Sequence, residues 1–200
     1  MSKKMDPRVI RTRLMLRDAL VELIGERGYE KITVQDIAKQ AMLNRATFYL
    51  HYRDKFDLLY QSSEEILNDL TESINLSLEG KEEFDFLSGK PHKNFIHLFE
   101  QISQNSKLYK VFLTEKNMPH FTGGMMNVLI GFISRGINSM QPDDNMLTVP
   151  REIAVRYYAS AFLGVIVWWL ENDMPYTPTF MATQLMRLAI KGPYVDDPFI

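Results

Sequence analysis

Three consecutive residues, Arg45, Ala46 and Thr47, have the types that read the edges of DNA bases. An arginine donates two hydrogen bonds to guanine, and the methyl groups of alanine and threonine contact the methyl of thymine. Asn44, directly before them, is a typical N-cap and is counted with them as a DNA-binding candidate. The pattern predicts a short helix over about residues 45–50, with the candidates for sequence-specific contacts in its first turn.

Four neighbouring residues have the types that bind DNA phosphates. Tyr49 offers a hydroxyl and His51 a ring nitrogen. Lys55 offers an ammonium group at the start of the next predicted helix, where the helix dipole favours anions. Thr33 opens the preceding helix with a hydroxyl and free backbone amides. We expect these four residues to position DNA rather than to select its sequence.

The composition indicates a folded protein with a charge asymmetry that suits a polyanion. The 200 residues are 46% hydrophobic and 24% charged. Residues 1–60 carry 12 Lys and Arg against 8 Asp and Glu, a net charge of +4, whereas residues 61–200 carry 11 against 17, a net charge of −6. Positive charge in the N-terminal quarter favours nucleic acid there, although an ordinary solvated surface would give a similar surplus.

The sequence lacks the residue patterns that common enzymes require. Without cysteine there is no disulfide, thiolate zinc site or cysteine nucleophile, which fits a reducing compartment. His92, His97 and His120 have no metal-ligand spacing, and His97 fits a core position better than a catalytic one. No P-loop, GxGxxG or GxSxG segment occurs. We therefore expect no catalytic residue, no metal and no cofactor.

Helical spacing dominates the whole chain and predicts an all-α fold. The first helix follows Pro7, carries an apolar stripe from Leu16 to Ile24, and ends at Gly28. Thr33 and Asp36 form a capping box at the second helix. After the helix at 45–50, the predicted helices are 54–78, 93–104, 106–116, 119–140, 151–172 and 178–191, with a loop at 79–92.

Two short helices joined by a tight turn and packed on a longer one make a helix-turn-helix. Over residues 8–59 the sequence, with its segment ITVQDIAKQAMLNRATFYLHYRDKFDLL, resembles the DNA-binding domain of TetR-family bacterial transcription regulators. Met42 departs from the family, which usually has a turn glycine there, and a positive φ would strain it. The matching residues are Gly28, Thr33, Val34, Ile37, Ala38, Thr47, Phe48, Tyr49, His51, Tyr52 and Lys55.

The pattern and the resemblance together predict two domains. A three-helix DNA-binding domain at 1–53 is followed by a larger helical domain for ligand binding and dimerisation at 54–200, and helix 54–78 links them. The resemblance implies a homodimer joined through helices 151–172 and 178–191, hence a palindromic operator. Candidates for the dimer interface are Ser160, Gly164, Val167, Leu185 and Leu188.

Aromatic and methionine residues between helix 54–78 and the last two helices predict either a plain core or a cavity for a small apolar effector. The resemblance implies that such an effector moves helix 54–78 and thereby changes the distance between the two DNA-binding domains of the dimer. We thus expect a repressor released by its effector, and the alternative is an activator or architectural DNA binder that responds to a protein partner. The candidates for the effector pocket are Phe99, Tyr109, Phe112, Met125, Phe132, Tyr157 and Trp168.

A membrane segment is not expected. The longest apolar run, Tyr157–Leu170, has 14 residues, and a spanning helix needs about 20, so we interpret the run as part of a buried helix. The N-terminus has no apolar core of a signal peptide, which favours the cytoplasm.

Overall fold

The structure is a computed structural model that describes residues 6–77, 91–115, 118–140 and 147–192. Those residues form nine α-helices and no strand, which confirms the predicted all-α fold. The predicted loop at 79–92 lies outside them except for its last two residues. The helices are α1 (Pro7–Arg27), α2 (Val34–Gln40), α3 (Arg45–Tyr49), α4 (Lys55–Ser77), α5 (Lys93–Gln104), α6 (Ser106–Thr114), α7 (Pro119–Met140), α8 (Arg151–Glu171) and α9 (Pro178–Lys191).

Local signals place the ends of the first two helices. Asp6 caps α1 by accepting a hydrogen bond from the backbone N–H of Arg8. Gly28 ends α1 with φ 76°, a region that favours glycine, and a short 3₁₀ turn follows. The predicted capping box is present, because Thr33 and Asp36 each bond the other's backbone N–H.

The turn between α2 and α3 has a positive φ at Met42, the conformation that would strain this residue. Met42 has φ 54°, in the left-handed region, where the side chain of any residue but glycine is strained. Asn44 then caps α3 by accepting from the N–H of Thr47 at 2.7 Å. The tight turn lets α3 pack on α2, which in turn packs on α1.

A single apolar stripe on α1 holds the N-terminal helices together. Leu16, Leu20 and Leu23 on this stripe are buried, as predicted. Ile37 of α2 and Phe48 of α3 are fully buried in the same core. Burying a leucine or phenylalanine side chain stabilises a fold by roughly 1.5–3 kcal/mol, so these few contacts position α3 firmly.

Helix α4 joins this unit to the larger helical part, since it packs against α1, α5 and α7. It approaches α7 closely at Gly124, where an added Cβ would lie only 2.2 Å from a methyl carbon of Leu67. In the larger part α7 packs on α8, and α5 packs on α9.

Helix α8 is apolar enough and long enough, by composition and length alone, to cross a membrane. It nevertheless carries a buried side that includes Phe162, Ile166 and Trp169 and packs in the core. Its opposite side is exposed and includes Ile153 and Tyr157. The helix is thus buried on one side within the chain, as predicted for part of a core, and its other side carries exposed apolar residues.

Candidate nucleic-acid interface

Helix α3 projects polar side chains outward from a buried anchor. Phe48 is fully buried, whereas Arg45, Ala46 and Tyr49 are exposed. The Tyr49 hydroxyl accepts hydrogen bonds from Nε and Nη2 of Arg45 at 3.3 and 3.0 Å. This leaves three of the five guanidinium N–H groups for a ligand, and the hydroxyl keeps its own hydrogen for an acceptor. Tyr49 therefore holds Arg45 in an orientation toward solvent.

The first turn of α3 is held by its N-cap. The side-chain oxygen of Asn44 accepts from both the backbone N–H and the hydroxyl of Thr47, at 2.7 and 2.9 Å. Because the hydroxyl hydrogen of Thr47 is used in this way, its methyl group is the part suited to contact a base. Asn44 acts in the structure as a positioning residue with a free amide group to offer.

Thr33 is less available to phosphate than its place in the sequence suggested. Its hydroxyl donates to Oδ2 of Asp36 at 2.6 Å, and these bonds to Thr33 lower the pKa of the Asp36 carboxyl. The hydroxyl hydrogen is thus occupied, and a carboxylate stands beside it. A phosphate contact near Thr33 would have to use the backbone N–H groups at the start of α2.

Lys55 has an intramolecular role that the sequence did not predict. Its ammonium group donates to the carbonyl oxygens of Tyr29 and Glu30 at 3.1 and 3.3 Å, and it lies 4.5 Å from the centre of the Tyr29 ring. These contacts join the start of α4 to the 3₁₀ turn after α1. One of its three N–H groups remains for a phosphate.

His51 is a neutral hydrogen-bonding group rather than a cation. Burial lowers the pKa of its imidazole, and the positive charge of Arg13 lowers the pKa further. The neighbouring Tyr52 is buried, and its burial raises the pKa of its hydroxyl to about 12. At neutral pH His51 therefore offers one N–H donor to a phosphate.

Sequence reasoning missed the role of Arg13. Its guanidinium donates to Gln61 at 2.7 Å and to Glu65, and it lies 5.1 Å from the ring centre of Tyr52. The arginine thereby ties α1 to α4 beside His51. No local signal announces this contact, because 48 and 52 residues separate the partners.

A second surface lies on α8 and α9. Of the predicted dimer residues, Ser160, Gly164 and Leu188 are exposed and Val167 is half-buried. The prediction that Leu185 lies at the dimer interface was wrong, because only 5% of this residue is exposed and it packs in the core of its own chain. The other large apolar side chains exposed on or between these helices are Ile153, Tyr157, Trp168, Tyr176, Phe180 and Ile190.

The residues predicted to line an effector pocket fall into two groups. The two on α8, Tyr157 and Trp168, are 67% and 45% exposed, so their placement in an interior pocket was wrong. They belong to the exposed face of α8 because they lie opposite its buried side. The other five are buried together in the core: Phe99, Tyr109, Phe112, Met125 and Phe132.

Four of the five buried candidates, all except Met125, lie beside other aromatic rings. Phe112 lies 4.9 Å from Phe121 between ring centres, and Phe132 lies 5.2 Å from Phe95. Burial raises the pKa of the Tyr109 hydroxyl. A hollow of about 420 Å³ that the structure describes lies elsewhere, at Leu147–Glu152, so these five residues stand as candidates only.

The remaining polar contacts do not assemble a catalytic or metal centre among the described residues. The Ser73 hydroxyl lies 2.5 Å from Nε2 of His97, but the other ring nitrogen is 3.9 Å from Glu100, too far for a hydrogen bond. The described part of the chain has no group of three or more His, Cys, Asp or Glu residues that could hold a metal ion. His97 is a half-buried, hydrogen-bonded histidine.

Comparison with known families matches both parts of the chain. Residues 16–61 match the bacterial regulatory proteins of the tetR family, and residues 89–191 match a C-terminal region of transcriptional regulators, TetR_C_8. The first match contains the whole of α2 and α3. The second covers the helices beyond α4.

Individual relatives cover between about half and nine-tenths of the chain. It is 25% identical over 195 residues to the fatty acid metabolism regulator protein of Bacillus subtilis, with 90% of this chain and 94% of that protein covered. It is 28% identical over 111 residues to the dhaKLM operon transcriptional activator DhaS of Lactococcus lactis, with 55% of this chain and 54% of that protein covered. The structure of FadR from Bacillus subtilis in complex with stearoyl-CoA has the same fold, with TM-score 0.69, 22% identity, and 90% and 99% coverage.

Proposed function

We propose that this chain, which belongs to the TetR family of bacterial transcriptional regulators, binds a palindromic operator as a homodimer and represses transcription in the cytoplasm until a fatty acyl thioester releases it. The observation that carries the DNA-binding proposal is the outward Arg45–Tyr49 pair on a helix anchored by Phe48. It presents an arginine fork to a groove and keeps it oriented before binding.

The electrostatics of the N-terminal quarter support this DNA contact. Net charge is +4 over residues 1–60 and −6 over the rest, so a DNA duplex is attracted to the first part and repelled by the second. In the proposed complex Arg45, Ala46 and Thr47 read bases. The phosphate contacts come from Asn44, Tyr49, His51, Lys55 and the α2 N-terminus at Thr33.

The exposed apolar face of α8 and α9 supports the homodimer. Large apolar side chains on a solvent-facing helix pair are the mark of an interface, because a stable monomer rarely exposes such a patch. Gly164 and Ser160 on this face would let two α8 helices approach closely. Replacing Tyr157 by glutamate should place a charge in the interface and give a monomer in analytical ultracentrifugation, whereas an unchanged dimer would exclude this face.

The named relatives support a fatty acyl thioester as the effector. The Bacillus subtilis relative is named as a regulator of fatty acid metabolism, and the FadR structure contains stearoyl-CoA. The buried aromatic and methionine side chains of this chain, among them Phe99 and Met125, give an interior that suits an acyl chain. Since these side chains are packed, the ligand must displace some of them on entry.

An activator is the second candidate, and the DhaS relative favours it. That protein is named as a transcriptional activator, and it is 28% identical to this chain over 111 residues. A regulator that activates needs the same DNA contacts, so the structure of α3 serves both proposals. Transcription measured in vitro from a promoter that carries the selected operator distinguishes repression from activation.

The first experiment selects bound sequences from a random double-stranded DNA library at one stated salt concentration. We expect a palindromic consensus for the wild type. Arg45→Ala should relax the preference at one base position per half-site by roughly 1–3 kcal/mol, while Lys107→Ala on α6 serves as a control cation outside the interface. Sequence-indifferent binding by the wild type would contradict the proposal.

The second experiment adds stearoyl-CoA to the bound operator, with coenzyme A alone as the control. We expect the thioester to release the DNA and coenzyme A to leave it bound, because only the former offers apolar surface to the core. Binding that stays unchanged at a saturating concentration would contradict the effector proposal. The DNA-binding proposal would stand in that case.

A further inference from the structure

Leu50, at the end of α3, presents an apolar side chain to solvent beside the polar groups that the interface uses. It is 81% exposed. Its backbone continues the helical turn, with φ −71° and ψ −21°, and its N–H donates to the carbonyl of Ala46 at 3.2 Å. Since Leu50 follows the buried Phe48 by two residues, or about 200° of helix, its side chain points away from the core.

Leu50 shares this outward side with the predicted base readers. It follows Ala46 by four residues and Thr47 by three, the spacings that place side chains on one face of a helix. Ala46 is exposed, and Ala46 and Thr47 both belong to the first turn of α3. The apolar side chain is therefore continuous with the proposed reading surface rather than isolated on another face.

The chemistry of the major groove offers one apolar partner to such a side chain. Most base edges in the major groove present polar atoms, whereas thymine presents a 5-methyl group. We propose that Leu50 is a specificity-determining residue that packs against the methyl group of a thymine in each half-site. The proposal rests on the DNA-binding function proposed above and adds one residue and one base to it.

The test removes the methyl group from the DNA and the leucine from the protein separately. In the selected operator, deoxyuridine replaces thymine at one symmetric pair of positions at a time. Wild-type affinity should fall about fourfold for each methyl group that Leu50 contacts, as expected from about 0.8 kcal/mol per buried carbon group. Positions whose methyl group faces solvent should keep the full affinity.

The variant then identifies which residue makes the contact. Leu50→Ala should bind the thymine operator more weakly and become insensitive to uracil at that pair of positions, while its sensitivity elsewhere is retained. Leu50→Met keeps a flexible apolar side chain and should restore the sensitivity. Because Leu50 is exposed, both variants should unfold at the temperature of the wild type.

Two results would overturn the inference. One is a Leu50→Ala protein that keeps every uracil penalty of the wild type, which would assign the contact to Ala46, Thr47 or another residue. The other is a wild type indifferent to uracil at every position, which would leave this face for a protein partner. A failure of the proposed function itself looks different, since no consensus operator would emerge from the selection.

Discussion

Replacing Lys55 by methionine separates its two roles, because methionine keeps the apolar stem and removes the ammonium group. In the protein alone, the change removes hydrogen bonds to the carbonyls of Tyr29 and Glu30 and the contact with the Tyr29 ring. The two bonds are long and partly exposed, so each contributes about 1 kcal/mol, and the ring contact adds about 0.5–1 kcal/mol. We expect the free energy of unfolding to fall by about 2.5–3 kcal/mol.

The DNA complex gives the second readout of the same variant. Removing one phosphate contact from each protomer should lower the slope of log K against log salt by about 0.9, hence about 2 for a dimer on its operator. Urea unfolding measures the first effect, and fluorescence anisotropy at several salt concentrations measures the second. The control variant Lys107→Met, which replaces an exposed lysine on α6, should change neither the free energy of unfolding nor the salt slope.

The pair of results decides between the roles of Lys55. A lower stability with an unchanged salt slope would show that the ammonium group only ties α4 to the 3₁₀ turn, and its phosphate contact would be refuted. A lower slope at unchanged stability would show that the two carbonyl bonds contribute nothing net. Both effects together are the expected result, because one N–H group of the ammonium remains after the carbonyls are served.

Three further predictions concern strain, packing and pH. Met42→Gly should raise the free energy of unfolding by about 0.5–1 kcal/mol by removing the strain at φ 54°, and an unchanged thermal midpoint would contradict this. Gly123→Ala, in open space on α7, should stabilise by about 0.5–1 kcal/mol. Gly124→Ala should give no such gain, because its Cβ would meet Leu67, and equal midpoints for the two variants would refute the close approach. The lowered pKa of His51 predicts a stability contribution that is complete above the ordinary value of 6.5 and is lost as pH falls through the lowered pKa. His51→Gln should flatten unfolding midpoints measured between pH 5 and 7.

The helices were predictable because their signals are local. Asn44 before Arg45, and Thr33 three residues before Asp36, each satisfy helix N–H groups within one turn, so the sequence contains both partners of every such bond. Such features depend on neighbours in the chain and not on the rest of the fold. The strain at Met42 was foreseen from the resemblance instead, because the family usually has a glycine at that turn, and φ is 54° there.

The interactions that were missed join residues far apart in the chain. Lys55 donates hydrogen bonds to backbone carbonyl groups 25 and 26 residues away. Because every residue has such a carbonyl, the sequence does not show which of them accepts a hydrogen bond. The long apolar run in α8 indicated a buried helix without showing which side meets the core, so Tyr157 and Trp168 were placed inside, although they are exposed. On α9 the sequence did not show which side meets the core either, and Leu185 was placed outside although it is buried.

The contacts of α4 determine how a ligand in the larger part could act on DNA at all. Leu67 on α4 packs against Gly124 of α7, while Gln61 and Glu65 on the same helix hold Arg13 of α1. A displacement of α7 would push on α4 because Gly124 leaves no gap beside Leu67. The Arg13 contacts would pass that movement to α1, on which α2 packs and carries α3. The direction of the response depends on which arrangement of α4 the ligand binds better, since a ligand with equal affinity for both would shift nothing.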